Sequence, residues 1–109
     1  MITVKIWRNV NNEIVSFSLN GHAGYGVEGK DIVCAAVSAV TNMALIGLNE
    51  KLKINLNFEK SGSGYLKVEL PKDIDFEDMR VAQVLLESLV TEYLDIESNY
   101  GKYILVKER

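Results

Sequence analysis

The sequence predicts an α+β domain in the order ββαββαβ, a mainly antiparallel or mixed sheet packed with two long helices. Three observations lead to this. Short segments that alternate apolar and polar residues come in pairs around turn-forming Asn, Gly and Ser. Two longer stretches repeat apolar residues every three or four positions, the period of a helix. The chain, at 109 residues, is the length of one domain (1–109), and a domain of that size removes roughly 65% of its surface from water without disulfide or metal staples.

The elements follow in order. ITVKIWR, 2–8, alternates β-branched and aromatic residues with polar ones and reads as a strand. An asparagine-rich turn, NVNNE, leads to a second strand over 13–20, where Val15, Phe17 and Leu19 should face inward and Ile14, Ser16 and Ser18 outward. Asp31 then resembles a helix N-cap, because its carboxylate suits the unpaired N–H groups and positive end of a helix from about Ile32 to Lys51. Cys34, Val37, Thr41, Leu45, Leu48 and Leu52 define one face of that helix.

KINLNFEK, 53–60, and YLKVEL, 65–70, flank the turn SGSG and read as a second hairpin, ended by Pro71. A second helix should cover 73–99, capped by Asp73 or Asp75, with Met79, Ala82, Leu86, Leu89, Val90 and Leu94 as its apolar stripe. YGKYILVKE, 100–108, reads as a last strand.

Composition narrows the function. One Cys and one His cannot fill a conventional Cys/His metal site, and one Cys cannot make an intrachain disulfide. The net charge of −3, with no basic block, disfavours nucleic acid and suits a basic partner. The start of the chain, MITVKIWRNV, lacks the apolar core and cleavage site of a signal peptide. Ile32 to Asn49 runs eighteen residues without a charge, which raises the question of a membrane helix. Its Ala, Ser, Thr, Asn and Gly content points instead to a helix buried on most sides of a soluble domain.

The chemistry concentrates in GHAGYGVEGKDIVCAAVSAV, 21–40. If Asp31 caps the helix, Cys34 sits in its first turn, at N3. The N–H groups of that turn and the positive helix end favour a thiolate, the nucleophile that acyl transfer needs, and could also hold an oxyanion. His22 lies twelve residues before Cys34, within folding reach, with Gly21 and Gly24 to let the chain turn. It could take the thiol proton and later give one to a leaving amine. Ser38 falls one turn after Cys34 on the same face. The segment Ala23, Gly24, Tyr25, Gly26, Val27, Glu28, Gly29 and Lys30 reads as a mobile lid over the cysteine. It lacks the GxxxxGK[ST] pattern of a phosphate loop. Each of these residues also has a structural reading: a small buried Cys, a turn His, a capping Asp, a small Ser in a tight helix.

The run from Gly21 and His22, through Gly29, to Asp31, Ile32, Val33, Cys34, Ala35 and Ser38 resembles the ribosomal-processing cysteine protease (Prp, YsxB-like) family. Length and element order are similar too. The resemblance implies Cys34 as nucleophile and His22 as general base, with Gly21, Asp31 and Ser38 supporting the site. It implies a cytoplasmic, homodimeric cysteine endopeptidase without cofactor. Its substrate would be the N-terminal extension of a large-subunit ribosomal protein, cut after an aromatic residue in support of ribosome assembly. Two other readings stand beside it: a thiol hydrolase acting on another peptide, and a non-catalytic ribosome-associated binding module.

Overall fold

The computed structural model describes residues 1–27 and 30–108. Its elements are β1 (Ile2–Arg8), β2 (Ile14–Asn20), α1 (Ile32–Leu45), β3 (Asn57–Ser61), β4 (Tyr65–Glu69), α2 (Phe76–Tyr100) and β5 (Ile104–Glu108). The ββαββαβ order is the one the sequence predicts. The sheet runs β3-β4-β2-β1-β5. It is mixed, because β5 returns through the long α2 to lie parallel to β1, while the other neighbours are antiparallel.

Strand alternation decides which sheet face the helices cover. Ile2, Val4, Ile6, Phe17, Val68 and Ile104 lie on that face and are buried. Each fully buried side chain of this kind stabilises the fold by about 1.5–3 kcal/mol. Trp7 and Lys67 lie on the other face, where the Lys67 ammonium stands 4.8 Å above the indole.

Four expectations are corrected. The first concerns Ile14, which is buried, not outward-facing. A β-bulge shifts the register between Trp7 and Arg8, so that Arg8 pairs with Ile14 and Val15 becomes the extra residue. The Ile14 backbone takes its partners from α2, while the Val15 carbonyl accepts the Leu70 N–H at 2.9 Å. Gln83 accepts from the Ile14 N–H at 2.7 Å and donates to the Ile14 carbonyl at 2.8 Å. Second, β3 starts only at Asn57. Lys53 has φ of 56°, and the Ile54 N–H is bound to the Leu48 carbonyl, so 53–56 is a connector that still buries Ile54 and Leu56.

Third, α1 buries Val33, Val37, Thr41 and Ala44, and Leu48 beyond it, so its inner face is rotated from the one expected and Cys34 is only half-buried. The helix continues to Lys51 as expected, but its last stretch (Ile46–Lys51) is π-helical, with the Leu52 N–H reaching back to the Gly47 carbonyl. A Cβ on Gly47 would come within 2.8 Å of Leu85, so glycine lets α2 approach here. By length and composition 32–51 could cross a membrane, yet only 28% of its apolar window is buried in the fold. It therefore packs along one side and is not buried on most sides. Ile32, Met43 and Ile46 remain exposed. Fourth, α2 starts after Asp75, which accepts the Asp78 N–H at 2.8 Å, and Tyr93 replaces Leu94 in its buried stripe.

Tyr93 is fully buried, and its hydroxyl meets the Thr41 hydroxyl at 2.5 Å. Thr41 donates its own proton to the Val37 carbonyl at 2.7 Å. This pair joins the two helices beneath the clefts described next.

Candidate active site

The site begins where β2 ends. Gly21 has φ of +97°, and a Cβ there would lie 2.3 Å from the Met1 carbonyl oxygen. Only glycine fits that backbone and that space. Its N–H donates to the Gly64 carbonyl at 2.7 Å, which ties the strand end to the β3–β4 turn. The next residue, His22, therefore leans on that turn. Its Nε2 is 3.5 Å from the Ser63 hydroxyl, and a Cβ on Gly64 would stand 3.2 Å from the same nitrogen.

Ala23 is buried, and its backbone N–H points at the Cys34 sulfur, 3.4 Å away. Gly24 turns the chain again with φ of +74°. The Tyr25 ring then stands edge-on to Tyr100 and Tyr103, with centroids 5.7 and 5.1 Å away. This fastens the loop to the region where α2 passes into β5. Glu28 and Gly29 lie outside the described residues. Val27 and Lys30 are exposed and joined through the Lys30 N–H to the Val27 carbonyl at 3.0 Å.

Asp31 organises both ends of this region. One carboxylate oxygen caps α1 by accepting the Val33 and Cys34 N–H groups at 2.9 and 3.0 Å. The other accepts the Tyr25 and Gly26 N–H groups at 2.9 and 3.1 Å. Burial alone would raise the Asp31 pKa, but the N–H groups of Cys34, Gly26, Tyr25 and Val33 together bring it below the usual carboxylate range. Asp31 is thus a clamp between loop and helix. The N–H groups of Val33 and Cys34 are occupied by it, so they do not offer the oxyanion site expected of the helix end.

Cys34 falls at N3 of α1, as the cap predicts. It lines two adjoining clefts, as do His22, Ser38 and Ser63. One cleft, of about 280 Å³, has apolar walls from Ile2, Leu19, Val37 and Leu66, and continues along α1 past Thr41 and Asn42. The other, of about 330 Å³, lies under Gly24, Gly26, Asp31 and Ala35. Among the described residues no hydrogen bond joins the His22 ring to the Cys34 thiol. The imidazole rests on Ser63 instead, with 3.5 Å between Nε2 and the hydroxyl. No cluster among the described residues is suited to holding a metal ion.

The structure therefore brings Gly21, His22, Ala23, Asp31, Cys34 and Ser38 to one place. Ser63 and Gly64 join them, which sequence reasoning treated only as a turn. The neighbouring arrangement of β4 and β2 places them there, and no local pattern announces it. A thiol and an imidazole thus line the same two clefts, and these are groups of the kind acyl transfer uses.

Comparison with known proteins agrees. The family model described as Cysteine protease Prp matches residues 1–105. The Ribosomal processing cysteine protease Prp of Bacillus subtilis is 34% identical over 106 residues, covering 92% of this chain and 90% of its own. Its namesake from Staphylococcus aureus is 32% identical over 107 residues, covering 95% of each. The crystal structure of the S. aureus Prp protease with a covalently linked product peptide superposes with a TM-score of 0.89 at 25% identity, over the whole of both chains. The thiol at a capped helix start, the glycine loop before it and the match along nearly the whole chain lead to one assignment: this protein is a cysteine protease and belongs to the Prp family.

Proposed function

We propose that this protease removes the N-terminal extension of a bacterial large-subunit ribosomal protein, with Cys34 as nucleophile and His22 as general base. The observation that carries this reading is the position of the Cys34 thiol, at the first turn of α1 and at the junction of two clefts that His22 also lines. His22 turns from Ser63 toward Cys34 and takes the thiol proton. The sulfur attacks the scissile carbonyl, and the imidazolium returns the proton to the leaving amine. Water then releases the acyl group. Asp31 acts by holding the loop and the helix start, and Ser38 faces the bound peptide. Of the expected lid, Ala23 stays fixed beside the thiol, while Gly24 to Val27 open to admit the peptide and close over it.

The apolar cleft between Ile2, Leu19, Val37 and Leu66 suits an aromatic side chain before the cut. The net charge of −3 suits a basic ribosomal protein. The uncharged outer face of α1, with Ile32, Met43 and Ile46 exposed, supports a homodimer, and the single free thiol supports a reducing cytoplasm.

The test is mass spectrometry of the host ribosomal protein precursor, incubated with wild-type and Cys34→Ala protein. Wild type should cut once, after an aromatic residue, and Cys34→Ala not at all. An intact precursor with active wild-type enzyme would exclude this substrate, and a peptide library would then identify the one it takes. Sedimentation should give twice the chain mass, and Met43→Lys should halve it.

A further inference from the structure

We infer that the backbone N–H of Ala23 is the oxyanion donor of this protease. The inference rests on the reading of Cys34 as nucleophile and adds the group that stabilises the charge its attack creates.

A tetrahedral intermediate at Cys34 places a negative oxygen next to the sulfur, where an unengaged N–H must meet it. In many thiol enzymes the start of a helix could supply that donor, but here the N–H groups next to the thiol are occupied. The Val33 and Cys34 N–H groups donate to one Asp31 carboxylate oxygen, and the Ala35 N–H donates to the Asp31 carbonyl at 3.0 Å. On the loop, Asp31 also takes the Tyr25 and Gly26 N–H groups. Ala23 is different. Its N–H, 3.4 Å from Sγ, is aimed at the reacting atom itself.

The direction of that N–H is fixed in advance. The Ala23 methyl is buried, at 3% exposure. Gly21 and Gly24 on either side take backbone angles of φ +97° and +74°, the first of them locked against Met1 and Gly64. A donor held in this way needs no reorganisation as charge develops.

His22 takes the thiol proton. A sulfur lone pair forms the S–C bond, and the carbonyl π pair moves onto oxygen. The Ala23 N–H exchanges its hydrogen bond with sulfur for one with that oxygen. When the C–N bond breaks, the pair returns to the carbonyl, and the His22 proton leaves with the amine.

The experiment removes the Ala23 hydrogen-bond donor and keeps every side chain. Ligation of a 1–33 thioester to a 34–109 fragment, at Cys34 itself, allows total synthesis with L-lactate in place of Ala23, so that an ester oxygen replaces the N–H. Peptide cleavage should fall in kcat by roughly 10²–10³-fold, with KM little changed. Alkylation of Cys34 by iodoacetamide, which forms no oxyanion, should stay within a few-fold of the all-amide protein, and circular dichroism and the urea midpoint report that the chain has folded. Unchanged kcat overturns the inference. So does a parallel loss in alkylation and turnover, which would assign the N–H to the thiolate alone. Should the all-amide protein leave the ribosomal peptide uncut, the substrate reading fails separately, and acylation of Cys34 by a p-nitrophenyl ester becomes the readout. A second measurement uses unaltered protein. In ¹⁵N–¹H spectra, the Ala23 amide proton should move downfield when a peptide aldehyde forms its hemithioacetal on Cys34, and an unmoved resonance overturns the inference.

Discussion

Asp31 is bound to Cys34 through the backbone, not through catalysis: its carboxylate accepts the Cys34 N–H at 3.0 Å, and its second oxygen faces the loop and not the His22 ring. One side chain thus sets the start of a helix and the path of the loop that passes the thiol.

Asp31→Asn separates those two duties. Asparagine caps helices as well as aspartate. Its single carbonyl can serve Val33 and Cys34, which turns an NH₂ group toward the N–H groups of Tyr25 and Gly26. Helix content by circular dichroism should be unchanged, while kcat/KM should fall by about 10–100-fold as the loop loses its position. Wild-type activity would show that the loop does not depend on this clamp.

The same carboxylate sets a pH dependence. Its folded-state pKa is depressed, because the four N–H groups outweigh the effect of burial. Its stabilising contribution is therefore complete above the unfolded-state value of about 3.9 and is lost as pH falls through the lower folded-state value. Glu87 has the same sign, lowered by its hydrogen bond from Arg8 against a smaller effect of burial. The gap in urea midpoint between wild type and Asp31→Asn should be constant from pH 6 to 8 and should close only below about pH 4. A gap that persisted at pH 2 would contradict the assignment.

Two glycines around His22 should respond differently to alanine. At Gly21 the added Cβ meets backbone, 2.3 Å from the Met1 carbonyl oxygen, at a positive φ. Gly21→Ala should cost about 1–3 kcal/mol, read from denaturant unfolding. At Gly64 the only tight contact of the Cβ is with the His22 imidazole, at 3.2 Å, and the Gly21 backbone nitrogen is at an ordinary 3.9 Å. Gly64→Ala should lower kcat several-fold with little change in stability. Equal effects on both readouts would remove the distinction.

Thr41→Val keeps the side chain's size and removes the partner of a buried hydroxyl. Tyr93, left unpaired, should lower stability by about 1–3 kcal/mol. Adding Tyr93→Phe should recover part of the loss, and a double-mutant cycle in urea measures how much. Simple additivity would deny the coupling.

Tyr25→Ala removes the two edge-on ring contacts, each worth about 0.5–1.5 kcal/mol. Because they fasten a surface loop, the global unfolding midpoint should move little. Amide exchange of Gly24 and Gly26 should instead accelerate several-fold. Unchanged exchange would mean that Asp31 alone holds the loop.

Element order and the residues that gather around the clefts were legible because each rests on a local pattern. Asp31 three positions before Cys34 is a cap spacing, and Gly beside His22 is a turn signal. What escaped depended on distant chain. Ile14 became a core residue through a bulge, with its own backbone groups satisfied by Gln83 of α2. The inner face of α1 was set by the approach of α2 at Gly47. Ser63 and Gly64 reached His22 because β4 pairs with β2. The oxyanion expectation failed for a subtler reason: the cap itself already holds the Val33 and Cys34 N–H groups beside the thiol.

Apart from the Tyr25 ring and the Asp31 carboxylate, the loop before Cys34 is anchored through main-chain groups: Tyr25 and Gly26 give N–H groups to Asp31, and Lys30 gives its N–H to Val27. Anchors of that kind are indifferent to side-chain identity, proline excepted. Val27 and Lys30, both exposed, are therefore free to drift between lineages or to be randomised in a library without losing the loop's course. Selectivity for new peptide sequences can be evolved at these positions while the reacting groups beneath stay where they are.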